Sequence, residues 1–159
     1  MNIEILCVGK IKEKYLRDAI DEYSKRLLKY CKLKVIEVAD EKTIDKQSEA
    51  LDIRIKQIEG ERILKYIKED AYVVTLEIEG KLLDSVGLSR EIENAGINGC
   101  STIQFIIGGS LGLDSSVISK ANLHLSFSKM TFPHQLMRVI LLEQIYRSFR
   151  IINNEPYHK

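Results

Sequence analysis

"MNIEILCVGKIKEKYLRDAIDEYSKRLLKYCKLKVIEVA", residues 1–39, carries the pattern on which the fold reading turns. Its first part, IEILCVG at 3–9, has the short apolar character of a strand. Residues 13–30 then place apolar side chains at 16, 19, 20, 23, 27 and 28, the spacing of one helix face. LKVIEVA at 33–39 is strand-like again. A strand, a helix and a strand in succession imply parallel pairing with the helix as a right-handed crossover.

The alternation continues. Thr43 to Ile67 is charged with a thin apolar stripe and reads as a long exposed helix interrupted at Gly60. AYVVTLEI at 71–78 reads as a strand closed by Glu79-Gly80-Lys81. An amphipathic helix at about 84–95, a turn at AGING, the strand STIQFIIGG and a short helix capped by Asp114 come next. NLHLSFS at 122–128 is the last strand, and Pro133 stands in the first turn of a final helix, HQLMRVILLEQIYRSFRII. The expectation is an α/β fold, a parallel-type doubly wound sheet with helices on both faces, formed by residues 1–159 as one domain. Such sheets bind ligands beyond the carboxyl ends of their strands. Three strand ends stand out: Leu76-Glu77 before Gly80, Gly108-Gly109, and Ser126 to Phe132.

Composition narrows the function classes. With 45% hydrophobic and 30% charged residues, the 159-residue chain is composed as an ordinary globular protein. The first residues read as a strand rather than a signal peptide, and no apolar run approaches the ~18 residues of a membrane span. The three cysteines, Cys7, Cys31 and Cys100, lack metal or disulfide spacing, so reduced thiols in the cytoplasm are expected, with no metal. Net charge is only +1, but residues 120–159 hold six Lys or Arg against two acids, with all three histidines. That basic quarter suits an anionic partner, nucleic acid included, or simply a solvated helix face.

FIIGGSLGLDSS at 105–116 admits several readings. Gly108-Gly109-Ser110-Leu111-Gly112 satisfies G-x-S-x-G, the nucleophile elbow of serine hydrolases, for which Asp114 with His124 or His134 could complete a triad. The chain is short for that fold, and a pattern with three fixed positions recurs readily in glycine-rich turns. No P-loop or G-x-G-x-x-G spacing is present. The glycines could equally admit a flat ligand to the main chain or make a tight turn with no ligand.

The C-terminal stretch is the most specific. S-F-S-K-M-T-F-P-H at 126–134, L-L-E-Q-I-Y-R at 141–147 and N-x-x-P-Y-H-K at 153–159 resemble the ribosomal RNA large-subunit methyltransferase H family, one of the SPOUT methyltransferases. T-L-E-I-E-G-K at 75–81, Asp84-Ser85 and F-I-I-G-G-S-x-G-L at 105–113 agree, so the resemblance spans essentially the whole chain. It implies a C-terminal trefoil knot, a homodimer and methyl transfer from S-adenosylmethionine. The implied target is N3 of a pseudouridine in a 23S rRNA stem-loop of the assembled 70S ribosome. It also implies a cofactor site at Leu76, Gly108, Phe127, Ser128, Lys129, Met130, Thr131 and Phe132, with Ser110 reduced to a loop residue.

Methyl transfer from a sulfonium is an in-line displacement, helped by a base for the imide proton or a cation for developing charge. His134 is the first candidate base, although a histidine in a first helical turn often serves only structure. Arg138, one turn on, could hold a phosphate or a developing oxyanion. Tyr157 and His158 lie in a tail too poor in apolar residues to anchor a core, and suit stacking on an RNA base, in their own or a partner's site. The competing classes are a serine hydrolase using Ser110 and a non-catalytic RNA-binding or ribosome-associated module.

Overall fold

A computed structural model describes residues 1–159. The elements run β1 (Asn2–Val8), α1 (Lys14–Leu27), β2 (Lys32–Val38), α2 (Glu49–Leu64), β3 (Tyr72–Leu82), α3 (Ser85–Ile97), β4 (Thr102–Ile107), α4 (Ser115–Ile118), β5 (Leu123–Ser126) and α5 (His134–Ile152). All strand pairings are parallel, in the order β2-β1-β4-β3-β5. The expected α/β sheet with helices on both faces is what the chain forms.

Strand periodicity explains the layering, because successive side chains point to opposite faces. Ile3, Ile5 and Cys7 of β1 join Ile103, Phe105 and Ile107 of β4 in a core closed by α1, α3 and α5. Leu6, Val8 and Ile106 point the other way, under Ile63 of α2 and Val117 of α4. The two central strands are buried on both faces, which is why they read as apolar runs rather than as alternations. Buried Gln104 keeps its amide satisfied, donating to Glu4 and to the Tyr66 carbonyl while accepting from the Lys68 N–H.

Three local expectations are corrected. The charged segment after β2 becomes helical only at Glu49, where Ser48 accepts the Leu51 N–H as N-cap. That helix is neither broken at Gly60 nor exposed all round: Ile55, Glu59, Gly60 and Ile63 are buried. Gly60 is needed for close approach, since a Cβ there would lie 2.9 Å from the Cβ of Asp114. Strand β3 does not close at Glu79-Gly80-Lys81. Leu76 pairs with Leu125, and so does Lys81, so the residues between are extruded as a bulge before pairing resumes at Lys81 and continues through Leu82. Pro133 is the N-cap residue of α5 rather than part of its first turn.

The tail also differs from expectation. After α5 the chain turns back through Asn154, in left-handed conformation, and packs on the helix it has just left. The Tyr157 ring stands edge-on to Tyr146 at 5.0 Å and its hydroxyl donates to Glu143. Glu155 pairs with Lys29 and Arg150 and accepts from Tyr30. One tyrosine meeting an aromatic cluster anchors this heptad, despite its poverty in aliphatic residues.

Candidate functional site

At the carboxyl edge of β3, β4 and β5 lies a cleft of about 770 Å³. Three segments build it. The first is the β3 bulge, where Leu76, Glu77, Ile78 and Glu79 form one wall. Gly80 lets that bulge fold over β5, because a Cβ would fall 2.7 Å from the Leu125 carbonyl carbon. The second is the loop after β4, Gly108 to Leu113, which doubles back through a bridge between Gly109 and Gly112. Gly112 has φ +87°, a left-handed turn that favours glycine. The third is the segment from Phe127 to Pro133 that joins β5 to α5, with Met137 behind it.

Of the eight residues expected to hold a cofactor, seven line this one cleft: Leu76, Gly108, Phe127, Ser128, Met130, Thr131 and Phe132. Lys129 does not. Its ammonium turns outward, 3.5 Å from the exposed carboxylate of Glu79. Residues far apart in the chain, in three segments, thus meet at one place.

The glycine question has a more local answer than ligand access alone. A Cβ on Gly108 would lie 2.7 Å from the Gly112 carbonyl carbon and 3.1 Å from the Leu113 nitrogen. The residue must be glycine for the loop to close on itself, whatever the cleft holds. Gly109 is similarly crowded, by Val8 and by the carboxylate of Glu59.

Ser110 lines the cleft but has no nucleophile's company. Asp114 spends its carboxylate on the N–H and hydroxyl of Ser116, opening α4. His124 turns its Nδ1 to Glu77, 2.7 Å away, with the Thr75 hydroxyl also in reach. His134 shares the cleft with Ser110 without bonding to it. No Ser–His–Asp relay exists, and the hydrolase reading falls.

The candidate catalytic residues separate. His134 stands half-buried at the cleft margin and makes no hydrogen bond within the chain. Burial, then the charge of Arg138, pulls its pKa below 6.5, so the imidazole is neutral near pH 7. Arg138, expected to face a ligand, is instead 1% exposed beneath the sheet edge. It pairs with Glu37 at 2.9 Å and donates to the carbonyls of Val8 and Gly9 at 2.9 and 2.6 Å. Spacing along α5 could not reveal this, because i+4 from His134 is compatible with either neighbour of the helix. Tyr157 and His158 sit by Glu143 and Arg147. Nine residues of helix separate Glu143 from His134, about 14 Å, so the tail does not reach the cleft of its own chain.

Glu77, which the sequence marks as a strand-end residue before Gly80 without a role, lines the cleft with its carboxylate fixed by His124. Sequence reading missed Glu59, buried to 4% exposure behind the glycine loop. One Glu59 oxygen accepts the Glu41 N–H and the other has no partner. Burial, then the carboxylate of Asp40, raises its pKa. No three His, Cys, Asp or Glu side chains converge as a metal site would require, and no helix is long and apolar enough to cross a membrane.

The family described as "Predicted SPOUT methyltransferase" matches residues 1–158. The chain is 63% identical, over the full length of both, to the ribosomal RNA large subunit methyltransferase H of Bifidobacterium animalis subsp. lactis. It is 62% identical, again over both full lengths, to the protein of the same name from Clostridium botulinum strain Hall. Among solved structures, the tRNA (m1G37) methyltransferase of Aquifex aeolicus superposes with a TM-score of 0.54 at 15% identity, covering 100% of this chain and 75% of that one, a likeness of fold.

Proposed function

The chain belongs to the SPOUT methyltransferase family, and from that premise we propose that it methylates N3 of a pseudouridine in a 23S rRNA stem-loop. The methyl donor is S-adenosylmethionine, and the protein acts in the cytoplasm as a homodimer on the assembled 70S ribosome. The cleft carries this reading. Seven residues matching the family's cofactor motif line it, and relatives over 60% identical bear the name of a large-subunit rRNA methyltransferase.

The cleft suits the cofactor by its own chemistry. Its volume of about 770 Å³ falls within the ~300–1,000 Å³ of small-molecule sites. Eleven of its 21 lining residues are hydrophobic, matching an adenine ring and the methylenes of a methionine chain. Two carboxylates, Glu77 and Glu79, stand on the wall where a cationic ligand gains from them. Bound there, S-adenosylmethionine supplies an electrophilic methyl group.

The chain's own residues do the rest. Phe127, packed on the core, gives the cleft an apolar wall, and Met130 and Phe132, exposed at its mouth, stand where a bound ligand would be covered by them. His134, neutral and without an internal partner, accepts the imide proton as N3 attacks. Arg138 fixes the strand end beside His134 and so positions it rather than touching substrate. Because Tyr157 and His158 lie about 14 Å along α5 from their own cleft, any contact they make with the reacting nucleotide is to the cleft of the second copy. The fold then includes the knot common to the family, with Phe127 to Pro133 part of it.

The test measures tritiated methyl incorporation into 70S ribosomes, separated subunits and naked 23S rRNA, with calorimetry for the cofactor. Saturable S-adenosylmethionine binding and labelling confined to 70S particles are expected. Equal labelling of naked rRNA would refute the 70S requirement. A folded protein that does not bind the cofactor would leave the non-catalytic RNA-binding module. His134→Gln should lower kcat at least tenfold while leaving cofactor affinity within twofold, and should remove the acid limb of the pH profile below 6.5.

A further inference from the structure

The loop between β1 and α1, Gly9 to Glu13, is tied down more heavily than a five-residue connection requires. Gly9 turns it with φ +82° while its N–H donates to the Val38 carbonyl. Arg138 donates to the carbonyls of Val8 and Gly9 from below. Arg17 donates to the carbonyls of Ile11 and Lys12, and the Lys12 N–H donates to the Gln135 side chain. Burying a guanidinium is costly, and an apolar residue of its volume often packs at least as stably. The arginine's work here is to hold carbonyls of a loop beside His134.

What that loop presents is charge. Lys10 and Lys12 are exposed, and neither forms an ion pair, whereas Lys14, two residues on, is paired with Asp18. The 3.1 Å bond from the Lys12 N–H to Gln135, the neighbour of His134 in α5, places the loop at the cleft margin. The cleft's own walls offer the carboxylates of Glu77 and Glu79 and the outward Lys129 already paired with Glu79. An RNA backbone approaching His134 therefore needs its cations from outside the cleft.

We infer that the Gly9–Glu13 loop is a preorganised phosphate-binding arm for the RNA substrate, with Lys10 and Lys12 as its contacts. The inference rests on the rRNA methyltransferase reading and adds the surface that receives the strand next to the target nucleotide. A rigid backbone spares the ordering cost that a mobile lysine loop would incur on binding. Two exposed, unpaired ammonium groups supply affinity without base selectivity, as phosphate contacts do. The occupant is RNA rather than an acidic protein because the arm borders the cleft in which a nucleotide must be methylated.

The test uses the full chain with paired substitutions, Lys10→Ala with Lys12→Ala and Lys10→Glu with Lys12→Glu. It reads cosedimentation with 70S ribosomes across salt concentrations, methylation kinetics, cofactor calorimetry and size-exclusion chromatography. The alanine pair should raise KM for ribosomes at least tenfold with kcat within twofold, and leave cofactor affinity and oligomeric state unchanged. It should also flatten the salt slope of log K by about 1.4–1.8, the equivalent of two phosphates. The glutamate pair should act in the same direction and further. Unchanged KM and salt slope would overturn the arm, and so would a changed oligomeric state, which would put the lysines in a protein interface. A parent protein that pellets with ribosomes in a Lys10- and Lys12-dependent way yet transfers no methyl group would overturn the methyltransferase reading and leave the arm standing. A parent that never pellets overturns the arm.

Discussion

Gly108→Ala separates a glycine kept for a ligand from one kept for its own loop. The added methyl would sit 2.7 Å from the Gly112 carbonyl carbon and 2.8 Å from its oxygen. Both are backbone atoms of a turn already held by the Gly109–Gly112 bridge, so no side chain can swing aside. Relief to ordinary contact needs a loop displacement of roughly 1 Å, and overpacking of this kind costs about 1–3 kcal/mol. For a chain of this size that lowers Tm by about 2–12 °C. The same displacement moves one wall of the cleft, so S-adenosylmethionine affinity should fall at least tenfold, about 1.4 kcal/mol. Differential scanning fluorimetry with and without cofactor, followed by calorimetry, reads both effects. Gly99→Ala is the converse control, since Gly99 has a left-handed φ of +86°, which Gly108 lacks, but no atom near its would-be Cβ. It should cost only the backbone strain and leave cofactor binding intact. If Gly108→Ala kept both the parent Tm and the parent affinity, the loop closure described above would be wrong.

Truncation after Ile152 removes the edge-on Tyr157–Tyr146 contact and the Arg147 guanidinium stacked 4.6 Å over Tyr157. The loss should be about 1–2 kcal/mol, measured as a midpoint shift in urea unfolding. Methyl transfer to ribosomes should nearly vanish while cofactor affinity stays within tenfold; full activity would make the tail a stabilising clasp only. Glu59 has a raised carboxyl pKa, so the folded chain holds its proton more tightly than the unfolded one. Stability from this group is therefore present below about pH 4.5 and lost as pH rises through the folded pKa. Tm measured from pH 4 to 8 should decline less steeply in Glu59→Gln than in the parent, and parallel curves would show that the carboxylate is solvated.

What could be read without coordinates was whatever local periodicity encodes. The alternation of Ile3, Ile5 and Cys7 with Leu6 and Val8, and the helical spacing of Leu16, Ile20, Tyr23 and Leu27, are properties of neighbouring residues, and they determine strand, helix and which face seeks a core. The family motifs at 75–81, 105–113 and 126–134 likewise identified the segments that prove to share a cleft. Periodicity says that a face will be buried but not what will bury it. The order β2-β1-β4-β3-β5, the extrusion of Glu77 to Gly80 over β5 and the close fit of Gly60 on Asp114 depend on pairings between distant residues. Arg138 is the sharpest case. On the helix it looked like a cation for a phosphate or an oxyanion, and 101 residues away Glu37, with the carbonyls at the end of β1, made a buried site in which its charge is paired and both terminal nitrogens are bonded, Nε alone having no partner. Tyr157 followed the same logic, a tail residue by position and a half-buried one packed on the core by its meeting with Tyr146. Burial of a polar or aromatic group depends on the partners that surround it, and only the tertiary structure brings those partners together.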